Sequence, residues 1–285
     1  MRTLQASIRI LAVIGLLLAL VIDFLLRPVD LPAQAAWRIH RYCKRIVRAL
    51  GVRGSTEGAP ITAGAVISNH LSYLDILVFA AAHPFIMVAK SEVRHWPGIG
   101  WLTRKAGTVY VVRGGGPATY PAVNRSMAEA YRSGLPVLFF PEGTTTDGSE
   151  VLPFRRGLFH SVLNEEVELQ AAALHYTSCD PSVSVANDVC WWGDALLLPH
   201  IWRLAKSSGI RASLRFGPVV SEREDRFVLS QSARQEIAAM YGELVLKAGA
   251  VEGVQESELV EALQDLLDRP VQGIGAFNRD AGVLR

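Results

Sequence analysis

Six short strand-like runs, at 65–68, 85–89, 108–112, 137–140, 169–174 and 212–216, recur along the middle of this chain with helical stretches between them, and most of them are apolar almost throughout. A strand that alternates apolar and polar residues keeps one face in water. A strand that is apolar throughout has no wet face and must be covered on both sides. The alternation of such runs with helices therefore predicts an α/β fold, a mixed and mostly parallel sheet covered by helices on both faces. One covering helix is predicted over 119–133, ended by Gly134. Function in such a sheet belongs at the strand ends.

Two unusual polar strings fall there. Asn69-His70-Leu71-Ser72-Tyr73-Leu74-Asp75 follows the first run, and Phe139-Phe140-Pro141-Glu142-Gly143-Thr144 closes the fourth. A histidine supported by a carboxylate can take a proton from an alcohol near neutral pH, because its ordinary pKa already lies there. A glycine-opened turn offers backbone N–H groups of the kind that hold an oxyanion or a phosphate. The spacing restricts how His70 and Asp75 can meet. On a regular helix, residues five apart are about 140° apart around the axis, and in a strand they face opposite ways. They touch only if His70 sits in the turn after the strand and Asp75 lies in the first turn of a following helix. The sequence allows this, since Asp75-Ile76-Leu77-Val78-Phe79-Ala80 reads as the start of a helix. The same residues also fit a plain capped helix, with Asn69 or Ser72 as N-cap and Asp75 near its positive end.

Half of the 285 residues are hydrophobic, and mean hydropathy is +0.23. The net charge of +2 is unevenly spread. Residues 1–60 carry nine Lys/Arg against Asp23, Asp30 and Glu57, which leaves the remainder acidic. This asymmetry points to an anionic surface. Residues 10–26 are apolar except for Asp23, bracketed by Arg9 and Arg27, and span about 25 Å as a helix. They are expected to form a transmembrane anchor. A shallow in-plane or re-entrant helix is the first alternative, and a cleaved signal peptide, with Ala33-Gln34-Ala35 as its cleavage site, is the second. Residues 37–50 read as a basic amphipathic helix with Ile39, Cys43, Ile46 and Leu50 on one face and Gly51 closing it. If the anchor spans, the excess of Lys/Arg behind it places the body in the cytoplasm, at the inner membrane.

The two polar strings, with two further blocks in order, resemble the glycerolipid acyltransferases, the group that includes 1-acyl-glycerol-3-phosphate acyltransferase. The resemblance covers residues 37–220. Its second block is Gly107-Thr108-Val109-Tyr110-Val111-Val112-Arg113, and its third is Phe140-Pro141-Glu142-Gly143-Thr144 with Phe154-Arg155-Arg156-Gly157 behind it. The fourth, Gln170-Ala171-Ala172-Ala173-Leu174-His175-Tyr176, has Ala171 where the family usually has proline. The resemblance implies transfer of a fatty acyl group from acyl-CoA or acyl-carrier protein, as co-substrate, to the hydroxyl of a lysolipid. It implies no metal and no other cofactor. His70 would be the general base and Asp75 would fix its tautomer, as the carboxylate does in a serine-protease triad. Arg113, Glu142, Gly143 and Thr144, with Arg155 and Arg156, would form the acceptor's phosphate pocket.

One departure bears on the acceptor. Many phosphate-accepting members place arginine directly after the Glu-Gly-Thr, where this chain reads Thr144-Thr145-Thr146-Asp147-Gly148. The expected acceptor is 1-acyl-sn-glycerol-3-phosphate. A lyso-ornithine lipid or a lysophospholipid with a larger head group is the alternative. A lipid hydrolase and a non-catalytic lipid-binding module are the rival classes, but there is no G-x-S-x-G elbow. Membrane lipids are the expected partners, and nucleic acid is not. Cys43, Cys179 and Cys190 lack metal-ligand spacing and suit a reducing compartment. His83, His95, His160, His175 and His200 are expected to be structural. Trp96, Trp101, Trp191 and Trp192 could be interfacial anchors, acyl-pocket walls or core. The expected layout is an anchor over 1–36, the acyltransferase domain over 37–225, and peripheral helices over 230–247 and 256–267 before a disordered, Gly- and charge-rich end.

Overall fold

The computed structural model describes residues 1–112, 116 and 119–252. Two helices open the chain, α1 (Arg2–Leu26) and α2 (Pro32–Ala49). There follow β1 (Arg53–Glu57), β2 (Ala65–Ser68), α3 (Tyr73–Ala82), β3 (Ile86–Lys90), α4 (Ile99–Lys105), β4 (Val109–Val111), α5 (Tyr120–Tyr131), β5 (Val137–Phe139), α6 (Phe159–Asn164), β6 (Leu169–Ser178), α7 (Leu197–Lys206), β7 (Ile210–Val219) and α8 (Arg226–Glu252).

The seven strands form one sheet in the order β1-β7-β6-β2-β5-β3-β4. Every neighbouring pair is parallel except β6 and β7. All six predicted strands are present, shifted by a residue or two, and β6 and β7 each extend to ten residues. β1 had no apolar signal, and the reason is visible: four of its five residues are exposed at the sheet edge. β2 and β5 are buried along their whole length, as continuous apolar strands require.

α8 corrects the expectation of a peripheral helix. Leu229, Ala233, Ile237, Met240, Tyr241 and Leu244 are buried and belong to the same core as β2, β5 and β6. The helix packs on β6, so it is an integral cover of the sheet. The predicted helix over 256–267 and the end of the chain lie outside the described residues.

α1 is long and apolar enough to cross a membrane. It lies along the body, against α2 and α7, and buries Ala6, Leu20 and Phe24. Asp23, the charge inside the apolar run, pairs with Arg27 at 3.4 Å and Arg38 at 3.5 Å. The Arg38 guanidinium also sits 4.9 Å from the Phe24 ring centre and donates to the carbonyls of Asp23 and Arg27 at the end of α1. It closes α1 onto α2 and gives the Arg27 carbonyl, past the last helical N–H, a donor. At the other end Arg2 pairs with Asp180 at 3.1 Å, and Arg9 donates to the Ala205 and Ser207 carbonyls. Of the α2 face named from the sequence, Cys43, Ile46 and Leu50 are buried and Ile39 is half-buried.

Candidate active site

β2 ends at Ser68, and the next residue pins the departing chain. Asn69 donates through Nδ2 to the Leu174 carbonyl and accepts the Leu174 N–H at Oδ1, both at 2.9 Å. The turn from β2 into α3 is thereby tied to the middle of β6. Ser72 is the N-cap residue of α3 and Asp75 lies in its first turn, the arrangement the five-residue spacing demanded.

The imidazole Nδ1 of His70 is 2.8 Å from Oδ2 of Asp75. That oxygen also accepts the N–H groups of Leu71 at 2.6 Å and Ser72 at 2.9 Å, while Oδ1 accepts the Tyr176 hydroxyl at 2.8 Å. Asp75 is 0% exposed and surrounded by donors, so it acts purely as an acceptor, as an ionised carboxylate does. It is therefore both the N-terminal cap and the partner of His70; the two sequence readings are compatible. With Nδ1–H committed to Asp75, Nε2 presents its lone pair and has no partner among the described residues. The His70 side chain keeps 12% exposure, enough for a substrate to reach it. Phe140 stacks on the ring at 4.0 Å between centres and 10° between planes, which fixes its tilt.

The backbone under His70 is fully used. Its N–H donates to Oε1 of Glu142 at 2.8 Å, and its carbonyl accepts the Thr146 N–H at 3.0 Å. The Leu71 carbonyl accepts the Trp191 N–H at 2.8 Å. Glu142 spends its other oxygen on the Leu152 N–H at 3.1 Å. Burial pushes its carboxyl up to about 8, against the pull of those two N–H groups. Burial and the charge of Asp75 hold the Tyr176 hydroxyl well above the ordinary tyrosine range, so it stays a donor.

His70, Asp75 and Glu142 are thus brought together, with Glu142 as the clamp between the two polar strings and its oxygens turned to backbone. Gly143 has φ +70°, and a Cβ there would lie 2.5 Å from Nε of Arg155, so the turn brings that guanidinium against its backbone. Thr144 is exposed. Arg156 is stacked on Phe227 of α8, 4.4 Å from the ring centre. Arg113 lies outside the described residues. Asp147 turns Oδ1 onto the N–H and hydroxyl of Ser149, at 2.9 and 2.7 Å. Asn69 was read as a possible N-cap rather than as a tie to β6, and Phe140, Thr146 and Tyr176 had no role of their own in the sequence reading. Asn69 and Phe140 stand inside the quoted strings, but nothing in a string shows which side chains reach a neighbouring strand. No group of three or more His, Cys, Asp or Glu suited to a metal occurs among the described residues. His200 is buried between the Tyr73 hydroxyl and the Cys190 carbonyl, a structural placement.

Comparison with known proteins adds to this geometry. The family model described as Acyltransferase matches residues 52–174. A lyso-ornithine lipid O-acyltransferase of Rhodobacter capsulatus is 37% identical over 164 residues, 56% of this chain and 58% of that protein. One of the same description from Pseudomonas aeruginosa is 33% identical over 210 residues, 72% of this chain and 78% of that protein. A 1-acyl-sn-glycerol-3-phosphate acyltransferase of Neisseria gonorrhoeae is 32% identical over 177 residues, 61% of this chain and 68% of that protein. Among solved structures, the 1-acyl-sn-glycerophosphate acyltransferase of Thermotoga maritima superposes with a TM-score of 0.58 at 18% identity, covering 84% of this chain and 98% of that one. At that identity the likeness shows the fold.

Proposed function

The chain belongs to the acyltransferase family, and on that premise we propose that it moves a fatty acyl group from a thioester to the free hydroxyl of a lysolipid, with His70 as general base. The observation that carries this reading is the His70–Asp75 contact at 2.8 Å with Nε2 left open. Nε2 takes the hydroxyl proton as the oxygen attacks the thioester carbonyl. Asp75 stabilises the imidazolium that results. The tetrahedral intermediate then collapses, breaking the carbon–sulfur bond, and the leaving thiolate takes the proton back from His70. No acyl-enzyme is needed, because the thioester is already activated. The donor is acyl-CoA or acyl-carrier protein.

Two acceptors fit different residues. A lyso-ornithine lipid carries an amine, and Thr145, Thr146 and Asp147 stand where a phosphate-accepting site has arginine. The Rhodobacter and Pseudomonas relatives carry that name. This is the better-supported acceptor. 1-Acyl-sn-glycerol-3-phosphate is the second, favoured by Arg113, Arg155 and Arg156 and by the Neisseria relative's name. Arginine grips a phosphate through paired hydrogen bonds.

α1 is the membrane element of this proposal, and its packing favours the in-plane placement. Leu4, Ile8, Leu11, Ile14, Leu18, Ile22 and Leu25 form an exposed stripe at three- and four-residue steps. Both ends of α1 are tied to the same body, through Arg2 and Arg9 at one end and Asp23–Arg38 at the other. A helix that crossed a bilayer would leave its ends on opposite sides. The proposed thioester donor is what puts the body on the cytoplasmic face of the inner membrane in this reading, since acyl thioesters are found there.

The test is a panel of lysolipids, lyso-ornithine lipid and 1-acyl-sn-glycerol-3-phosphate among them, incubated with a labelled acyl thioester. A new ester that disappears in His70→Ala supports the reading. Release of free acid alone would identify a hydrolase, and no turnover with any acceptor would leave a binding module.

A further inference from the structure

The carboxylate of Asp75 has two oxygens, and the motif accounts for one. Oδ2 takes His70, Leu71 and Ser72, all within five residues of Asp75. Oδ1 takes a single donor from another element, the hydroxyl of Tyr176 on β6 at 2.8 Å. We propose that Tyr176 is a positioning residue of the His70–Asp75 pair, fixing the carboxylate by its hydroxyl so that Oδ2 stays on Nδ1 of His70. This rests on the reading of His70 as the base.

The physical reason is that a carboxylate turns easily about its last bond. Three donors converge on Oδ2, but they do not occupy Oδ1, which lies in a wholly buried residue. A buried oxygen without a donor is costly, and a rotated carboxylate would relieve that cost by sharing its oxygens among the three donors, turning the His70 ring, still held to the carboxylate, out of its aim. The Tyr176 hydroxyl removes the incentive to rotate. It is delivered rigidly: Tyr176 is 1% exposed, and the backbone two residues earlier, at Leu174, holds Asn69 in both directions beside His70. The donation also draws charge from the carboxylate, which sets how strongly Asp75 holds the imidazolium. Tyr176 therefore tunes the base as well as aiming it.

Other titratable groups face this cluster. They are Tyr73 from α3, Glu142 and Asp147 beyond β5, Cys190 before α7 and Tyr241 from α8. All of them are present in every protein compared below, so the shifts are read as differences between proteins.

The experiment is steady-state kinetics across pH in the full-length protein, with lysolipid acceptor and acyl thioester. Tyr176→Phe keeps the buried ring and removes the hydroxyl. The expected result is a kcat loss of about tenfold or more with both KM values held. The acid limb of the kcat/KM profile should move to higher pH, because the less-compensated carboxylate stabilises the imidazolium. Placing 3-fluorotyrosine at 176 strengthens the donor without removing it and should move the limb the other way; this arm stands even if Tyr176→Phe folds poorly. Added to Asp75→Asn, Tyr176→Phe should cost little more, since it acts through Asp75. Unmoved limbs in both variants, with His70→Ala inactive, would overturn the role of Tyr176 and leave the base intact. An active His70→Ala would instead remove the base itself.

Discussion

The imidazole of His70 is aimed from three sides, by Asp75 at Nδ1, by Phe140 against its face and by Glu142 on its backbone N–H. Only Nε2 is left for chemistry, so losing the ring should remove acyl transfer. His70→Ala is expected to reduce turnover by about 10²-fold or more in a folded protein. Asp75→Asn keeps the shape but loses the charge that supports imidazolium, and should be severely impaired as well; normal turnover in either variant, measured by ester formation, would end the mechanism. Arg113→Ala separates the two acceptors. If it grips a phosphate, the KM for 1-acyl-sn-glycerol-3-phosphate should rise about tenfold or more while the donor KM is spared. If the amine-bearing lipid is the natural acceptor, its KM should be unaffected.

Elements carry their own predictions. α8 supplies Ile237, fully buried, to the central core. Ile237→Ala should cost about 2–5 kcal/mol of stability in denaturant titration; a cost near zero would return α8 to the periphery. α1 exposes its leucine and isoleucine stripe while being held at both ends. Deleting residues 1–30 should weaken attachment to anionic vesicles and leave a residual association through the basic face of α2. That residue of binding should fall with salt, because charge attraction is screened and apolar insertion is not. Vesicle sedimentation with and without salt reads both.

At the scale of the whole molecule, buried titratable groups give stability a pH profile. Burial pushes His175 down to about 4 from 6.5, so the unfolded chain binds more protons between those values and stability rises with pH there. Burial pushes Glu142 up to about 8 from 4.5, so the folded protein binds more protons and its stability falls across that window. The two oppose each other below pH 6.5, and only Glu142 acts between 6.5 and 8. Thermal melts should therefore fall over that upper range, and Glu142→Gln should flatten the fall. A wild-type protein with level melting temperature from pH 6.5 to 8 would contradict the assignment.

The sequence by itself determined what is local. Continuous apolar runs required a sheet covered on both faces, and the five-residue gap between His70 and Asp75 required a strand, a turn and a helix start, because no regular element brings those positions together. Both are as expected in the structure. β1 was illegible because an exposed edge strand carries no apolar signal. α8 looked peripheral because its burial depends on β6, which it meets only after the sheet has formed. Tertiary structure alone decided that the Glu142 oxygens close on backbone N–H groups, and that Tyr176, 101 residues from Asp75 along the chain, completes its carboxylate. The reason is physical: residue types and spacings fix which elements form, while partnerships across β2, β5 and β6 arise only when the sheet sets those strands in register.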